Sequence, residues 1–367
     1  VELRPYQQKA VEWLCEHERG LVVAPAGSGK TIVAAAALDR VLNANPCKRH
    51  HRPELAWIAN TKEQATQGQA ALDSFLVGAL ANVSVECAAA ERWYGEVAGI
   101  VVDEAHHAPS PTWRKQIESC KGVRWGFTAT PWTRDRQRNE TLKALFGGNV
   151  FVIDREEVGQ NLAPARVVWL DAADEGLAER IDAAVEKELS RRLRFRRYQR
   201  MPIQQARGEV AWGVCNELGI FKNNLRNTQV ELIALAATEP TIVLANYVEH
   251  AKQLASHIPG SIVCHSGMKN RKASLDAFRK GDVRCLVATS LLDEGADFPC
   301  AEVLVLASGG RNEARTIQRT GRVLRPHPGK TMAFIYDFRD TFHPLMARHA
   351  EKREAIYEKL GYLTGGV

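Results

Sequence analysis

The chain has 367 residues, of which 45% are hydrophobic and 25% charged, with a formal net charge of +6 and a pI near 8.9. No apolar run approaches the roughly 18 residues of a membrane span, and the charge mixture excludes a disordered chain. The length suits roughly two domains, and the mild basic excess is compatible with a polyanionic partner without arguing for one.

The N-terminal VELRPYQQKAVEWL reads as an amphipathic helix behind a turn and not as a signal peptide. A strand is expected at Leu21–Ala24, where LVVAPAGSGKT runs through a glycine-rich turn into a helix opened by Lys30 and Thr31. Across Gly27, Ser28 and Gly29 the backbone can curl so that its N–H groups face an anion, and the helix start adds its positive dipole end. Lys30 would reach the β- and γ-phosphates of a nucleotide, and Thr31 would hold Mg²⁺. The full pattern has glycine at position 24, where this chain has Ala24. A bare strand–helix turn would leave a lysine beside those glycines unexplained.

Cys47, His50 and His51 in CKRHH lack a second ligand pair and read as a polar loop after a helix rather than as structural zinc. The eight cysteines form no C-x-x-C pair, so a reducing compartment is expected, cytoplasmic or nuclear and not secreted. Further strands are expected at Leu55–Ala59, Ile100–Val102, Val123–Phe127 and Val150–Ile153, with helical patterns such as Thr31–Leu42 and Lys62–Leu76 between them. Continuous apolar strands separated by helices predict a parallel sheet covered on both faces. The pattern recurs after residue 240, with strands at Thr241–Leu244, Ile262–Cys264, Cys285–Ala288, Val303–Leu306 and Met332–Ile335. Helices are expected there at Val248–His257, Lys269–Lys280 and Glu313–Thr320. The expected organisation is an α/β domain over 1–160 and a second over 161–367. A helical insertion of about 172–238 follows an extended APARVVWL that belongs to the second sheet.

The stretch GIVVDEAHHA runs from apolar residues into Asp103, Glu104, His106 and His107. In a parallel sheet this exit and the glycine-rich loop share the carboxyl edge, where ligands bind. Asp103 would then orient Mg²⁺ through its water shell, and Glu104 would take a proton from water attacking the γ-phosphate. The spacing is not H-E-x-x-H, so the histidines need bind no metal. His106 would sense the nucleotide or couple to a facing domain, and His107 reads as a polar loop residue.

DEAH at 103–106 resembles motif II of the superfamily 2 helicases and translocases, and the other motifs follow in order. LRPYQ (Leu3–Gln7) is similar to the Q-type motif of the branch holding the repair translocase XPB and the phage helicase UvsW, where Gln7 would read adenine with Arg4 beside it. APAGSGKT resembles motif I. ANTKEQATQ resembles motif Ia, implying nucleic-acid backbone contact from Thr61 and Lys62. TATP resembles motif III, implying that Thr128 and Thr130 couple hydrolysis to strand binding. VATSLLDEGADFP resembles motif V, with Thr289 expected on the nucleic acid and Glu294, Gly295 and Asp297 at the nucleotide. QRTGRVLRP resembles motif VI, implying that Gln318, Arg322 and Arg325 face the γ-phosphate, the arginines as fingers. The segment VECAAAERWYG has no clear motif Ib. The resemblance implies two tandem RecA-like domains that bind ATP and Mg²⁺.

SRRLRFRRYQR (Ser190–Arg200) has six arginines in its last ten positions, interleaved with Phe195 and Tyr198. Arg194, Arg196 and Arg197 would neutralise phosphates while the aromatics stack on bases or wedge a junction. Alternatively Leu193, Phe195 and Tyr198 bury one side of a helix, and Glu186 and Glu188 pair with the arginines. The resemblance implies an ATP-dependent helicase or translocase, on DNA in preference to RNA, moving 3′ to 5′ in repair, recombination or replication. A duplex-remodelling or protein-stripping translocase without processive unwinding, an RNA helicase, and a nucleotide-gated binding subunit are the rival readings. A monomeric motor without membrane attachment is the simplest expectation.

Overall fold

Adjacent residues of the buried strands face opposite layers. Leu21, Ile58, Ile100 and Val102 belong to one core cluster, and Val22, Trp57 and Val101 to another. This two-faced burial is why the strands read as unbroken apolar runs. The computed structural model describes residues 2–25, 27–44, 54–60, 62–75, 82–88, 94, 97–133, 135–159, 163–265, 267–289, 298–310, 313–323, 325 and 327–366. Of these, the side chains at 42–44, 54, 62, 63, 67, 82, 83, 155, 313–315, 318, 322 and 366 are left undescribed. The chain divides into two units, the first ending at Leu162 and the second beginning at Ala163.

In the first unit, helix α1 (Pro5–Cys15) precedes β1 (Arg19–Val23), α2 (Lys30–Ala44), β2 (Glu54–Ala59), α3 (Lys62–Phe75) and β3 (Asn82–Cys87). Then come β4 (Gly99–Asp103), a 3₁₀ turn at Ala105–His107, α4 (Pro111–Ser119), β5 (Val123–Thr128), α5 (Arg136–Leu145), β6 (Val150–Val152) and α6 (Arg155–Gly159). The strands form one parallel sheet in the order β3-β2-β4-β5-β1-β6. Helices α1 and α2 cover one face through Leu14, Val33 and Leu38; α4 and α5 cover the other through Ile117 and Leu142.

The second unit has β7 (Ala165–Leu170), α7 (Leu177–Arg192), α8 (Arg196–Gln199), α9 (Ile203–Val214), a π-helical turn at Cys215–Phe221 and α10 (Asn224–Ala236). These lead to β8 (Thr241–Leu244), α11 (Val248–His257), β9 (Ile262–Cys264), α12 (Arg271–Lys280) and β10 (Cys285–Ala288). The unit closes with β11 (Val303–Leu306), α13 (Glu313–Val323), β12 (Ala333–Phe338), α14 (Pro344–Lys359) and β13 (Leu363–Gly366). Its parallel sheet has the order β13-β7-β12-β11-β8-β10-β9.

The helical stretch between β7 and β8 serves two bodies. Leu177, Ile181, Val185 and Leu189, spaced four apart on α7, pack with Val210 of α9 and with Phe342 and Met346 at the start of α14. Helix α10 instead places Val230 and Ala234 in the core over the sheet. Gly219 makes the first packing possible, because an added Cβ would lie 2.3 Å from the Phe342 ring.

A buried ion network ties α14 to the sheet's carboxyl edge. Arg353 donates to Asp337 at 2.8 and 3.1 Å and to Asp340 at 3.4 Å, and also to the carbonyls of Gly310 and Phe338. Arg226 of α10 binds the other Asp340 oxygen and the Ala307 carbonyl. Burial alone would push the Arg353 guanidinium down, yet the two aspartates hold its pKa above its usual value. Removing one partner leaves buried charge uncompensated, at roughly 3–5 kcal/mol. Arg353→Met should therefore lower the unfolding free energy in urea by about 3 kcal/mol or more; a loss under about 1 kcal/mol would show the network to be solvated.

Candidate nucleotide-binding site

From β1 the chain enters α2 on one face of the sheet, and from β5 it enters α5 on the other, although β1 and β5 are neighbours. Their outgoing loops therefore diverge and leave a crevice at the carboxyl edge, the place where open α/β sheets bind ligands. The Ala24 N–H donates to the Thr128 carbonyl at 3.0 Å, so the two loops leave the edge side by side. Gly27 and Gly29 have φ of 82° and 78°, the left-handed region that glycine enters without a Cβ clash. Helix α2 starts at Lys30, whose Nζ donates to the carbonyls of Ala24 and Pro25, each at 3.2 Å. The ammonium thus curls back over the loop, where it would meet phosphate oxygens. Thr31 is half-buried in the first helical turn.

The N-terminal LRPYQ docks on this loop. Gln7 Nε2 and the Tyr6 hydroxyl both donate to the Ser28 carbonyl, at 2.9 and 3.2 Å, and Arg4 donates to Tyr6 at 3.1 Å. The Arg4 backbone N–H donates to Gln7 Oε1, closing the start of α1. An added Cβ at Gly29 would sit 2.5 Å from Gln7 Nε2 and displace that amide, beside the strain of its positive φ. The Gln7–Ser28 contact uses one of the two Gln7 amide hydrogens.

Asp103 ends β4, the neighbour of β5. Burial and then the charge of Glu104 push its carboxyl up to about 6, while Lys30 pulls it down. Glu104 has φ 49° and ψ 49°, a left-handed conformation that a non-glycine residue adopts at a cost of about 1–3 kcal/mol. Its N–H donates to Asp103 Oδ1 at 2.9 Å, and the turn brings its Oε2 to 3.3 Å from His106 Nδ1. The same Nδ1 is 3.1 Å from Thr128 Oγ1, which accepts from the Thr130 N–H at 3.2 Å. A polar chain Glu104–His106–Thr128–Thr130 thus joins the exits of β4 and β5. Arg138 of α5 fixes the turn by donating to the His106 carbonyl at 2.9 Å.

Two adjacent carboxylates beside a phosphate loop suit a divalent cation, which would relieve the repulsion that raises Asp103. No cluster of three or more metal-ligating side chains exists among the described residues. Mg²⁺ requires none, since one or two carboxylates together with substrate phosphates hold it. Thr31 and Asp103 fit that requirement. Cys47, His50 and His51 lie outside the described residues.

The second-unit candidates are less fully described. Thr289 is buried just beyond β10, its N–H donating to the Cys264 carbonyl at 3.2 Å. Glu294, Gly295 and Asp297 lie outside the described residues, as does Thr61; Lys62, Gln318 and Arg322 are described in backbone only. Gln318 and Arg322 lie on α13, and Arg325 follows it half-buried. Lys330 Nζ donates to the Arg325 carbonyl at 3.2 Å, to those of Pro299 and Ala301 at 3.2 and 2.6 Å, and to Val323. This clamp on the arginine-bearing segment had no motif to announce it; only its place a few residues past QRTGRVLRP could have drawn attention. The docking of the Tyr6 hydroxyl on Ser28 likewise has no local signal in LRPYQ.

In the arginine-rich segment Arg194 and Arg196 are exposed, Arg197 pairs with Glu209 at 3.2 Å, and Arg191 and Arg192 both bind Glu188. Their hydrogen bonds hold the Glu188 carboxyl well below the usual range. Tyr198 is buried, with its hydroxyl bound by Arg192 at 2.6 Å, so the expected stacking on bases is corrected for this ring. Phe195, at 59% exposure, keeps that capacity and does not bury a helix face. Trp132 is 47% exposed, with the Lys143 ammonium 5.5 Å from its ring.

Two family models match: the type III restriction enzyme res subunit over residues 1–96 and the helicase conserved C-terminal domain over residues 225–327. The DNA 3′-5′ helicase XPB of Kineococcus radiotolerans is 25% identical over 95% of this chain and 62% of its own length. The chain therefore spans less than two thirds of that relative. The DNA 3′-5′ translocase XPB2 of Sulfurisphaera tokodaii is 25% identical over 89% of this chain and 79% of its own length. Among solved structures, the Hef helicase domain of Pyrococcus furiosus superposes with a TM-score of 0.57 at 18% identity, covering 97% of both chains, a likeness of fold. No helix among the described residues is long and apolar enough to cross a membrane.

His107 gives the first unit a pH signature. Its ring lies tilted against those of His106 and Trp113, with centroids at 4.1 and 5.7 Å, and burial followed by the charge of His106 pushes its pKa down to about 4. The unfolded imidazole takes up its proton near pH 6.5, so this contribution to stability is present above that pH and is lost as pH falls toward 4. In urea titrations, the stability of His107→Phe relative to the parent should rise over that window; a pH-independent offset would show that His107 titrates normally.

Proposed function

We propose that this chain, a superfamily 2 helicase related to XPB, hydrolyses ATP and uses it to move along DNA. The observation that carries the proposal is the gathering at one sheet edge of the Gly27–Thr31 loop, the Asp103–Glu104 pair and the Thr128–Thr130 turn. Packing alone explains neither a lysine folded over a left-handed glycine loop nor a carboxylate, Asp103, where burial and a neighbouring carboxylate oppose its charge.

In the proposed mechanism Arg4 and Gln7 hold the base end of the nucleotide, and the loop N–H groups with Lys30 hold the phosphates. Mg²⁺, when held by Thr31 and Asp103, supplies charge neutralisation of the triphosphate. Glu104 accepts the proton of the attacking water. Its left-handed turn binds its N–H to Asp103 and sets its carboxylate against His106. His106 senses the state of Glu104 and passes it to Thr128 and Thr130. From the second unit, Gln318, Arg322 and Arg325 would complete the charge around the γ-phosphate, and the likeness to motif V assigns Glu294, Gly295 and Asp297 to the nucleotide. An arginine finger of this kind is worth roughly 10³-fold or more in rate. Closure of the two units around ATP and their release after hydrolysis would advance a strand held by Thr61, Lys62, Thr289 and the exposed Arg194 and Arg196.

DNA is favoured over RNA because the curated relatives named above carry DNA in their names, and 3′-to-5′ movement rests on the same names. Remodelling of duplexes without processive unwinding uses the same residues; strand displacement from a forked substrate separates the two readings.

Lys30→Ala should abolish binding of a fluorescent ATP analogue, and Glu104→Gln should retain that binding while turnover falls by about 10² or more. Wild-type turnover in either variant contradicts its assigned role. Replacing Arg194, Arg196 and Arg197 with alanine should weaken single-strand binding and reduce the slope of affinity against salt by up to about 2. An unchanged slope would assign these arginines to solvent. ATP turnover measured with single-stranded, duplex and forked DNA and with RNA tests motor and track together, and stimulation by RNA alone would reverse the preference.

A further inference from the structure

The second sheet has a divergence of its own. Strands β8 and β11 are neighbours, yet α11 leads from β8 toward β9 on one flank, whereas α13 leads from β11 to β12 on the other. A crevice is thus expected outside their carboxyl ends, as in the first sheet. No glycine-rich phosphate loop follows β8; the chain continues through Asn246 and Tyr247 into α11. A cavity of about 730 Å³ opens at this place, within the second unit. The strand exits form one wall, α9 and the π-helical turn another, and α13 and α14 the rest.

Its lining is that of a binding site. Trp212 of α9, whose ring lies tilted against that of His349 with centroids 5.3 Å apart, and the 47%-exposed Tyr247 both line it. Asn216 lies in the π-helical turn, a local widening often found at functional sites. It donates to the Trp212 carbonyl at 2.7 Å, while its own Oδ1 is buried without a hydrogen-bond partner among the described residues. The Ser308 hydroxyl is in the same condition, on a side chain only 3% exposed. Folded proteins rarely leave such atoms unsatisfied without a reason, and an absent ligand is one. Arg319 of α13, 9% exposed, adds positive charge to the wall.

We infer that this cavity takes an unstacked nucleobase with its phosphate, the base against Trp212 and Tyr247, its polar edge on Asn216 and Ser308, and the phosphate toward Arg319. An aromatic amino-acid side chain would reach at most one of the two buried polar atoms and brings no anion. A base has several edge groups and a flat face that stacks whatever its identity. The inference rests on the reading of the chain as a nucleic-acid motor and adds a seat for a base to it. It also gives the track a route to the ATP site, since Arg319 shares helix α13 with Gln318 and Arg322.

The test uses the full chain with 2-aminopurine, a base whose fluorescence falls on stacking, either within a single strand or as the free monophosphate. Two variants accompany it. A Cβ at Gly208 meets nothing within 4 Å, so Gly208→Phe can extend into the mouth from an exposed helix position. Ser308→Ala removes a hydroxyl that has no hydrogen-bond partner among the described residues, so its unfolding temperature should be unchanged or higher. Fluorescence of the strand should fall severalfold on binding. Affinity should drop about tenfold in Gly208→Phe, from lost stacking, and about fivefold in Ser308→Ala, from one lost hydrogen bond. Quenching of the free monophosphate alone, lost in Gly208→Phe, would support the same site with a free nucleotide as its occupant. If strands stimulate ATP turnover but no base is quenched, or both variants bind as the parent does, the cavity inference falls while the motor stands. If no nucleic acid stimulates turnover, the motor reading itself fails.

Discussion

Every strand pairing described in the two sheets is parallel, so within each sheet all carboxyl ends lie on one edge. That constraint is what lets residues far apart in sequence act together. Lys30, Glu104 and Thr128 come from three different strand exits, and only parallel pairing of β1, β5 and β4 brings those exits together. The divergence between β1 and β5 then opens the crevice that the glycine-rich loop occupies. Parallel pairing requires a crossover after each strand, and the crossover helices bury both faces, which is why nearly all central-strand residues are apolar.

The edge of the first sheet concentrates features that stability alone would remove. Glu104 is held left-handed, Asp103 is half-buried next to a second carboxylate, and two glycines take positive φ within three residues. Packing on every side maintains them: Gln7 and Tyr6 fix the Ser28 carbonyl, Arg138 fixes the 3₁₀ turn, and Thr128 receives both His106 and the Thr130 N–H. Strain of this kind persists where the surroundings over-determine it, and it clusters at working sites. Buried charge in the second unit has a different character. The Arg353–Asp337–Asp340–Arg226 network is satisfied from several directions and holds α10 and α14 to the sheet.

The central strands were legible because burial on both faces leaves runs that period and length betray. Strands expected at Leu55–Ala59 and Cys285–Ala288 correspond to β2 and β10 almost residue for residue. The two strands that escaped notice, β3 and β13, are both sheet edges. NVSVEC alternates polar and apolar residues, and LTGG carries almost no apolar signal, because an edge has one neighbour and need not be buried twice. Helix α14 escaped for another reason. Its inward positions include His349 and Arg353; the arginine buries only because Asp337 and Asp340 neutralise it, and no periodicity reading sees such partners. At the site, residue types and order revealed the loop and the carboxylate pair. The docking of Tyr6 on Ser28, the turn at Glu104 and the Lys330 clamp are tertiary, and nothing local in the sequence encodes them.

The account stands on the triphosphate lying in the crevice between β1 and β5. A crystal structure of the full chain with Mg²⁺ and a non-hydrolysable ATP analogue tests this most directly. The account predicts phosphate oxygens on the N–H groups of Gly27–Thr31 and on Lys30 Nζ, the metal between Thr31 and Asp103, and Arg322 and Arg325 turned toward the γ-phosphate. Phosphates bound elsewhere, or a metal that leaves Asp103 untouched, would contradict it.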